Sequence, residues 1–294
     1  MKTKGLSVAA AVLMILVVVA AAAAQPGLTL RYNYTAGEVD NYLMKGTLAG
    51  VMKMPDAGEV PITADLDGRL TVKIAAVSDQ GVASQEMTLE RMEITTDAMG
   101  MQAVMVMEAG KLTVTVNGQP VEMPQNVPGM EAIGKPIKAK VDARGRVLQM
   151  DLTPLGDLAA GFDPTMLQEM NIVFPEGPVS VGDSWSNEMK IPLNVVGQKM
   201  ELGLNFTYTF AGIQQYKGRE VAKLDLKGTA RMGAGGDSPD RVKQTFSGYE
   251  LFDHVAGRQV YDKIKLEQAT AEVGAPGQPA ATMTMTGDFE VTIE

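Results

Sequence analysis

The sequence predicts a mainly β protein made of antiparallel sheets, with one short helical insert. Three observations support this fold class. Short runs rich in Val, Ile, Thr, Tyr and Met alternate in hydrophobicity and are separated by Gly or Asp. Hairpin turn signatures recur between these runs. Helical spacing of apolar residues is confined to one stretch near the middle of the chain.

Three hairpins are predicted in the first β half, residues 25–153. Apolar residues alternate at 70–74 and return at 87–92, and a second hairpin begins with residues 111–116. The third covers residues 138–151. The turns are expected at residues 78–81, at Asn117-Gly118, whose residues accept positive φ, and at residues 142–145.

A helical connector is predicted at residues 154–173, before the second β half at residues 174–294. Apolar residues recur in the connector at spacings of three and four, and Pro154 and Pro164 stand near two helix starts. Strands are predicted after it at residues 189–193, 200–213, 221–232, 242–253, 258–272 and 282–293.

The two β halves look like diverged copies of one unit. Gly37-Glu38 corresponds to Gly182-Asp183, and the turn at residues 142–145 corresponds to the turn at residues 253–257. Chance similarity between hairpins is the alternative interpretation. Duplication predicts two similar antiparallel sheets, which either pack as a sandwich or join edge to edge as a half-barrel.

Residues 1–24 have the features of a signal peptide. Lys2 and Lys4 precede an apolar run that ends in small residues at Ala22 and Ala24. Cleavage there predicts an exported protein, periplasmic or extracellular, whose mature chain begins at Gln25. The alternative is an uncleaved anchor, because the run approaches the roughly 20 residues that span a bilayer. Only such an anchor would link the chain to a membrane.

The charge and the cysteine count exclude several classes of function. The chain has a net charge of −9, and loss of the two leader lysines leaves 24 basic and 35 acidic side chains, or −11. Lys and Arg form no cluster of the kind that phosphate backbones require, so no nucleic-acid partner is predicted. The absence of Cys and the single His254 exclude zinc sites built from these ligands.

No enzymatic activity, cofactor or metal is predicted. A Ser-His-Asp triad would need His254, which lies in a predicted turn, and the chain has no Gly-x-Ser-x-Gly element. Residues 65–68, Asp-Leu-Asp-Gly, resemble the start of a calcium loop, but Ala76 stands where the ligating Glu belongs. They are interpreted as a turn between strands. A carboxylate-based enzyme is a distant third interpretation, and no acidic pair is nominated for it.

Residues 174–185 read Phe-Pro-Glu-Gly-Pro-Val-Ser-Val-Gly-Asp-Ser-Trp. They contain a P-x-x-x-G-D-S-W element that resembles uncharacterised exported or lipoprotein-type bacterial β-rich domains. The resemblance implies β-rich architecture and export, although this chain lacks the lipidated cysteine of the lipoprotein members. From the residues themselves, Gly182-Asp183 predicts a tight turn and Trp185 the buried start of a strand, in preference to a ligand platform.

Methionine is frequent, with 21 residues, and four of them share even spacing: Met99, Met101, Met105 and Met107. On one strand they would share a face, while Val104 and Val106 on the other face predict a central strand. Ordinary core packing is the favoured interpretation. A Met-lined wall for a lipid-like ligand is the second, and makes these four the candidate ligand-binding residues. Copper(I) coordination is the weakest, because Cys is absent.

These observations favour an exported, non-enzymatic β protein that binds a lipid or other hydrophobic ligand in a Met-lined cavity. The alternative is a structural or protein-interaction module of the cell envelope with no small-molecule ligand. The corresponding partners are a hydrophobic small molecule or an envelope protein. A cavity beside the methionines favours the first interpretation, and a dry, closed core contradicts it. The second interpretation predicts an exposed apolar or edge-strand patch.

Overall fold

The computed structural model describes residues 27–54, 58–122, 134–154, 171–195, 198–233, 240–273 and 281–294. The predicted leader and residues 155–170 of the predicted helical connector lie outside this part of the chain. Fourteen β-strands are found in it: β1 (Val39–Met54), β2 (Gly58–Val77), β3 (Ala83–Ala98), β4 (Met101–Glu108), β5 (Lys111–Val116), β6 (Gln119–Val121), β7 (Ile137–Val141), β8 (Val147–Asp151), β9 (Ser184–Val195), β10 (Gln198–Tyr216), β11 (Arg219–Gly233), β12 (Asp240–Asp253), β13 (Arg258–Val273) and β14 (Ala281–Ile293).

All of these strands belong to one open antiparallel sheet, so the predicted fold class is confirmed. Strands β1 to β6 form one up-and-down meander and β9 to β14 form another. The meanders join where β1 pairs with β14, from Tyr42 opposite Ile293 to Lys53 opposite Thr282. The two halves are therefore joined edge to edge. Whether they descend from a duplicated unit stays a prediction.

Within the described residues, four hairpins are closed by two-residue turns in which both residues have positive φ and the second is Gly. These are the type I′ turns that suit the twist of a hairpin. Asn117-Gly118 was predicted as such a turn. The four pairs are Met99-Gly100, Ala109-Gly110, Asn117-Gly118 and Lys217-Gly218.

The sheet has an apolar face and a polar face. On β2, Ile62, Ala64 and Leu66 point to one side, and the intervening residues Asp65 and Asp67 are exposed on the other. We call the first side the inner face. Because directly paired residues share a face, the pairing extends this division across the sheet. The prediction of a turn at residues 65–68 was wrong, since these residues continue the alternation within β2.

Large inner-face side chains lie over glycines of neighbouring strands. A Cβ atom at Gly228 would lie 2.0 Å from the ring of Phe246, and one at Gly46 would lie 2.5 Å from the ring of Phe289. Each of these pairs is directly opposed across two strands. Glycine within a strand permits such close approach and marks bends in strongly curved sheets. The glycines thus fit a half-barrel better than a flat sheet.

The β7–β8 hairpin and strand β9 face each other through their inner sides. The hairpin of β7 and β8 extends the sheet from β3, because β7 pairs with residues 83–87. Val141, Val147 and Met150 of this hairpin form one buried cluster with Met189 of β9, against which Leu204 of β10 packs. The contact closes one end of the half-barrel as a two-layer core.

A second core lies where residues 28–34, here called the strap, cross the inner face. Leu30 and Phe174 are buried against Leu224 and Phe252 of β11 and β12. The strap is fixed by backbone hydrogen bonds: Leu28 exchanges two with Val179, the Tyr32 N–H donates to Ala143 O at 2.8 Å, and the Asn33 N–H donates to Gly257 O at 2.9 Å. Both β halves therefore hold the strap.

The two turns that hold the strap have the same construction. The Asp142 carboxylate accepts hydrogen bonds from the backbone N–H groups of Arg144 and Arg146. The Asp253 carboxylate accepts two in the same way, from Val255 and Ala256. These are the turns that the sequence comparison of the two halves had matched.

The G-D-S-W element forms the predicted turn before β9. Gly182 has a φ of +95°, and the Asp183 carboxylate accepts a hydrogen bond from the Ser180 N–H. Trp185 is half-buried and stacks on Tyr208, with ring centroids 5.8 Å apart. The element thus fixes the entry of β9 into the strap-covered core.

Candidate functional site

Two cavities lie along the inner face of β1 and β14. The first, here the apolar cavity, has a volume of about 250 Å³. Among the described residues, its wall contains no charged side chain and one polar residue, Gln244; the others are Leu48, Val242, Phe246, Ile264, Leu266, Ala269, Ala271, Met283, Met285 and Phe289. An apolar cavity of this size can take part of a hydrophobic molecule, because small-molecule sites are concave and mostly apolar.

The second, here the amphipathic cavity, has a volume of about 280 Å³ and lies beneath the strap. Apolar side chains of β1, β2, β3 and β14 form one wall: Met44, Leu70, Val72, Ile74, Met87 and Val291. Tyr32 and Tyr34 of the strap form another. Polar side chains gather at Glu38, Asp40 and Arg258, so this cavity has an apolar part and a charged part.

The charged part is an ion-paired group of three side chains, here called the polar mouth. Arg258 Nη1 donates to Glu38 Oε1 at 3.0 Å and to Asp40 Oδ1 at 3.1 Å. Arg258 Nε is buried without a hydrogen-bond partner. Burial raises the pKa of Asp40, while the Arg258 guanidinium opposes that rise. With all three groups ionised, the polar mouth carries a net charge of −1.

Phe289 stands between the two cavities. Val291 lines the amphipathic cavity, and Phe289, the next inward residue on β14, lines the apolar cavity. On β1 the corresponding residues are Met44 and Leu48, with Gly46 between them under the Phe289 ring. The cavities therefore lie end to end along the same two strands.

A pair of acidic residues lies next to the place where the two cavities meet. Glu250 on β12 is directly opposite Asp262 on β13, and Asp262 is opposite Val291 on β14. Glu250 is only 4% exposed, and one carboxyl oxygen of each residue has no hydrogen-bond partner. Burial, and then the nearby Asp262, raises the pKa of Glu250. Burial raises the pKa of Asp262 to about 7.

The acid pair predicts a stability that falls as pH rises. Because both folded-state pKa values are raised, the folded protein retains protons that the unfolded chain has released above about pH 4. We expect the double substitution Glu250→Gln and Asp262→Asn to gain stability relative to the wild type between about pH 4 and 7, by a few kcal/mol. Urea unfolding at several pH values measures this difference.

The matched control is Asp65→Asn on the exposed outer face, which should show no such gain. A difference in the free energy of unfolding between the double variant and the wild type that does not change with pH would contradict the assignment of raised pKa values to this pair.

The structure separates the four predicted methionines. Met99 lies in the turn between β3 and β4 and is 63% exposed, so its expected place on the strand was wrong. Met101, Met105 and Met107 do share the inner face of β4, although Met101 is 52% exposed. Strand β4 is third from one end of the sheet's main path, between β3 and β5.

None of the four lines either cavity. Met105 and Phe289 belong to one line of directly paired residues that crosses the sheet. Strands β3, β2 and β1 lie between them. At about 4.8 Å per strand, the separation is about 19 Å. A ligand-binding role for Met101, Met105 and Met107 stays a prediction.

The methionines that do line the cavities were not among the predicted ones; they are Met44, Met87, Met283 and Met285. A signal was present at residues 282–286, where Thr and Met alternate strictly. Such alternation indicates one apolar face on a strand. It does not indicate that Leu48, more than 200 residues earlier, would lie beside Met285.

The described residues contain no group of three or more His, Asp or Glu side chains placed to hold a metal ion. His254 lies in the turn between β12 and β13, where the sequence placed it. In the same described ranges, no helix is both long and apolar enough to cross a membrane.

Comparisons with known proteins identify no family for this chain. No protein-family model matches it, and no curated protein matches it. Solved structures with weak similarity include the hypothetical lipoprotein YmcC from Escherichia coli (12% identity, 83% of each chain covered, TM-score 0.22) and the translocator domain of the autotransporter NalP from Neisseria meningitidis (8% identity, 88% of this chain and 89% of that chain, TM-score 0.32). DynF from the dynemicin pathway of Micromonospora chersina matches at 10% identity over 92% and 90% of the chains, with a TM-score of 0.22. TM-scores of this size do not carry function over to this chain.

Proposed function

We propose that this protein is an exported, non-enzymatic carrier that binds a hydrophobic small molecule on the inner face of its half-barrel. The observation that carries the proposal is the apolar cavity between β12, β13, β14 and β1. Export follows from the predicted leader at residues 1–24. After cleavage, the protein would act in the periplasm or outside the cell.

The two faces of the sheet support this function. Outward positions near the cavity on β14 are Thr282, Thr284, Thr286 and Asp288, all exposed, while Met283 and Met285 point inward. On β14, large apolar side chains thus point to the inner face, where burying them against a ligand would be favourable. The cavity is partly open, so a hydrophobic molecule could enter it and cover its apolar wall.

The test uses N-phenyl-1-naphthylamine, an uncharged apolar dye that fluoresces on leaving water. We expect wild-type protein to bind it and Ala271→Trp to bind it at least tenfold more weakly, because the indole would fill much of the cavity that Ala271 lines. Thr270→Trp is the matched control, since it places the same side chain on the opposite face of β13. Fluorescence titration gives both dissociation constants.

Equal loss of binding in the two tryptophan variants would show that the dye does not occupy the apolar cavity. Failure of the wild type to bind the dye, together with capture of an envelope protein by the same face, would favour the protein-interaction alternative. Far-ultraviolet circular dichroism of each variant separates loss of binding from loss of fold.

A further inference from the structure

The two cavities together are slightly longer than one extended lipid molecule. From Asp40 at the polar mouth to Leu48 in the apolar cavity there are eight residues of β1, or about 26 Å at 3.3 Å per residue. One leaflet of a bilayer, head group included, is about 20–22 Å thick. A single amphiphile can therefore reach from one cavity into the other along β1.

The route from the polar mouth to the apolar cavity, here called the path, has chemically different ends. Its wall at one end carries Glu38, Asp40 and Arg258, and the described residues of its wall at the other end include no charged side chain. An apolar chain would lose its favourable burial at the polar mouth, and a charged head group would lose its hydration in the apolar cavity. One orientation is therefore strongly preferred, with the head group at the polar mouth.

The charge of the polar mouth selects the kind of head group. Arg258 already donates to both Glu38 and Asp40, which leaves a surplus of one negative charge. The remaining carboxylate lone pairs can accept hydrogen bonds from an ammonium group. An anionic head group would meet two carboxylates and only one, already paired, cation.

The geometry points to a long-chain amphiphile with an ammonium-bearing head group as the ligand, its head at Glu38 and Asp40 and its chain running past Phe289 into the apolar cavity. This inference rests on the proposed function and deepens it by naming the chemical class of the ligand. Phe289 is the side chain that the acyl chain must pass.

The test is displacement of N-phenyl-1-naphthylamine by three molecules that share one chain: hexadecylamine, hexadecanol and hexadecanoate, each below its aggregation concentration at pH 7. We expect the amine to displace the dye from the wild type at a concentration at least tenfold lower than the carboxylate. In the double variant Glu38→Gln and Asp40→Asn, the order should reverse, because Arg258 would be left without its carboxylates.

Hexadecanol serves as the internal control, since its affinity should change little between the two proteins and reports an intact apolar cavity. Asp65→Asn with Asp67→Asn, on the outer face, is the matched control and should leave the preference for the amine unchanged. Equal displacement by all three molecules, or preference of the wild type for the carboxylate, would overturn the inference while leaving the carrier function intact. Absence of dye binding by the wild type would instead overturn the carrier function itself.

Discussion

Gly257→Ala is expected to destabilise the protein by about 3 kcal/mol or more, because it acts on the backbone and on the strap at once. Gly257 has a φ of +68°, which costs a residue with a Cβ about 1 kcal/mol. Its new Cβ would lie 2.3 Å from the backbone nitrogen of Asn33. That nitrogen donates to Gly257 O, so the clash would also break a hydrogen bond that holds the strap.

Gly218→Ala is the matched control for this substitution. Gly218 has a φ of +80°, but a Cβ there would meet nothing within 4 Å. Gly218→Ala should therefore lower the free energy of unfolding only by the cost of positive φ, about 1 kcal/mol. Urea unfolding of both variants measures the difference. Equal destabilisation by the two substitutions would show that the strap does not depend on close approach at Gly257.

Gly228→Ala, within the sheet itself, is expected to lower the free energy of unfolding by a comparable amount, about 3 kcal/mol. A Cβ at Gly228 would lie 2.0 Å from the Phe246 ring, which is directly opposed on β12 and also lines the apolar cavity. The ring would have to leave its place on β11. The substitution should therefore weaken dye binding as well as stability.

Two further variants isolate this contact. Gly203→Ala, in the neighbouring strand β10, adds a methyl group where nothing lies within 4 Å, and should be neutral or stabilising by about 0.5 kcal/mol. Phe246→Leu should reduce the cost of Gly228→Ala when the two are combined, because the smaller side chain relieves the clash. Additive effects in this double-mutant cycle would contradict the packing of Phe246 on Gly228.

Local alternation was enough to predict most of the strands. The segments predicted between residues 189 and 293 each lie within one of the strands β9 to β14, because one polar and one apolar face impose a period of two on the sequence. The turn at Asn117-Gly118 was equally accessible, since both residue types are favoured at positive φ.

Two other turns were missed because their first residues are unusual. Met99 and Ala109 adopt positive φ, which non-glycine residues rarely do, and only the following glycines mark the turns. Treating Met99 as part of a strand therefore extended the methionine stripe one position too far. A glycine immediately before Met101 was compatible with either interpretation until the pairing of β3 with β4 was known.

The candidate site could not be predicted because it depends on long-range pairing. The apolar cavity exists because β1 pairs with β14, which brings Leu48 beside Met285. The polar mouth likewise joins Glu38 to Arg258, 220 residues away in the sequence. Alternation indicates which side chains face inward, but it does not indicate which strands are neighbours.

Native mass spectrometry of the full-length chain, expressed in an exporting bacterial host and purified without detergent, tests the carrier function most directly. We expect a polypeptide that begins at Gln25 and carries one hydrophobic molecule, which gentle activation releases intact. A bare polypeptide that also fails to take up hexadecylamine when this is added would contradict the account.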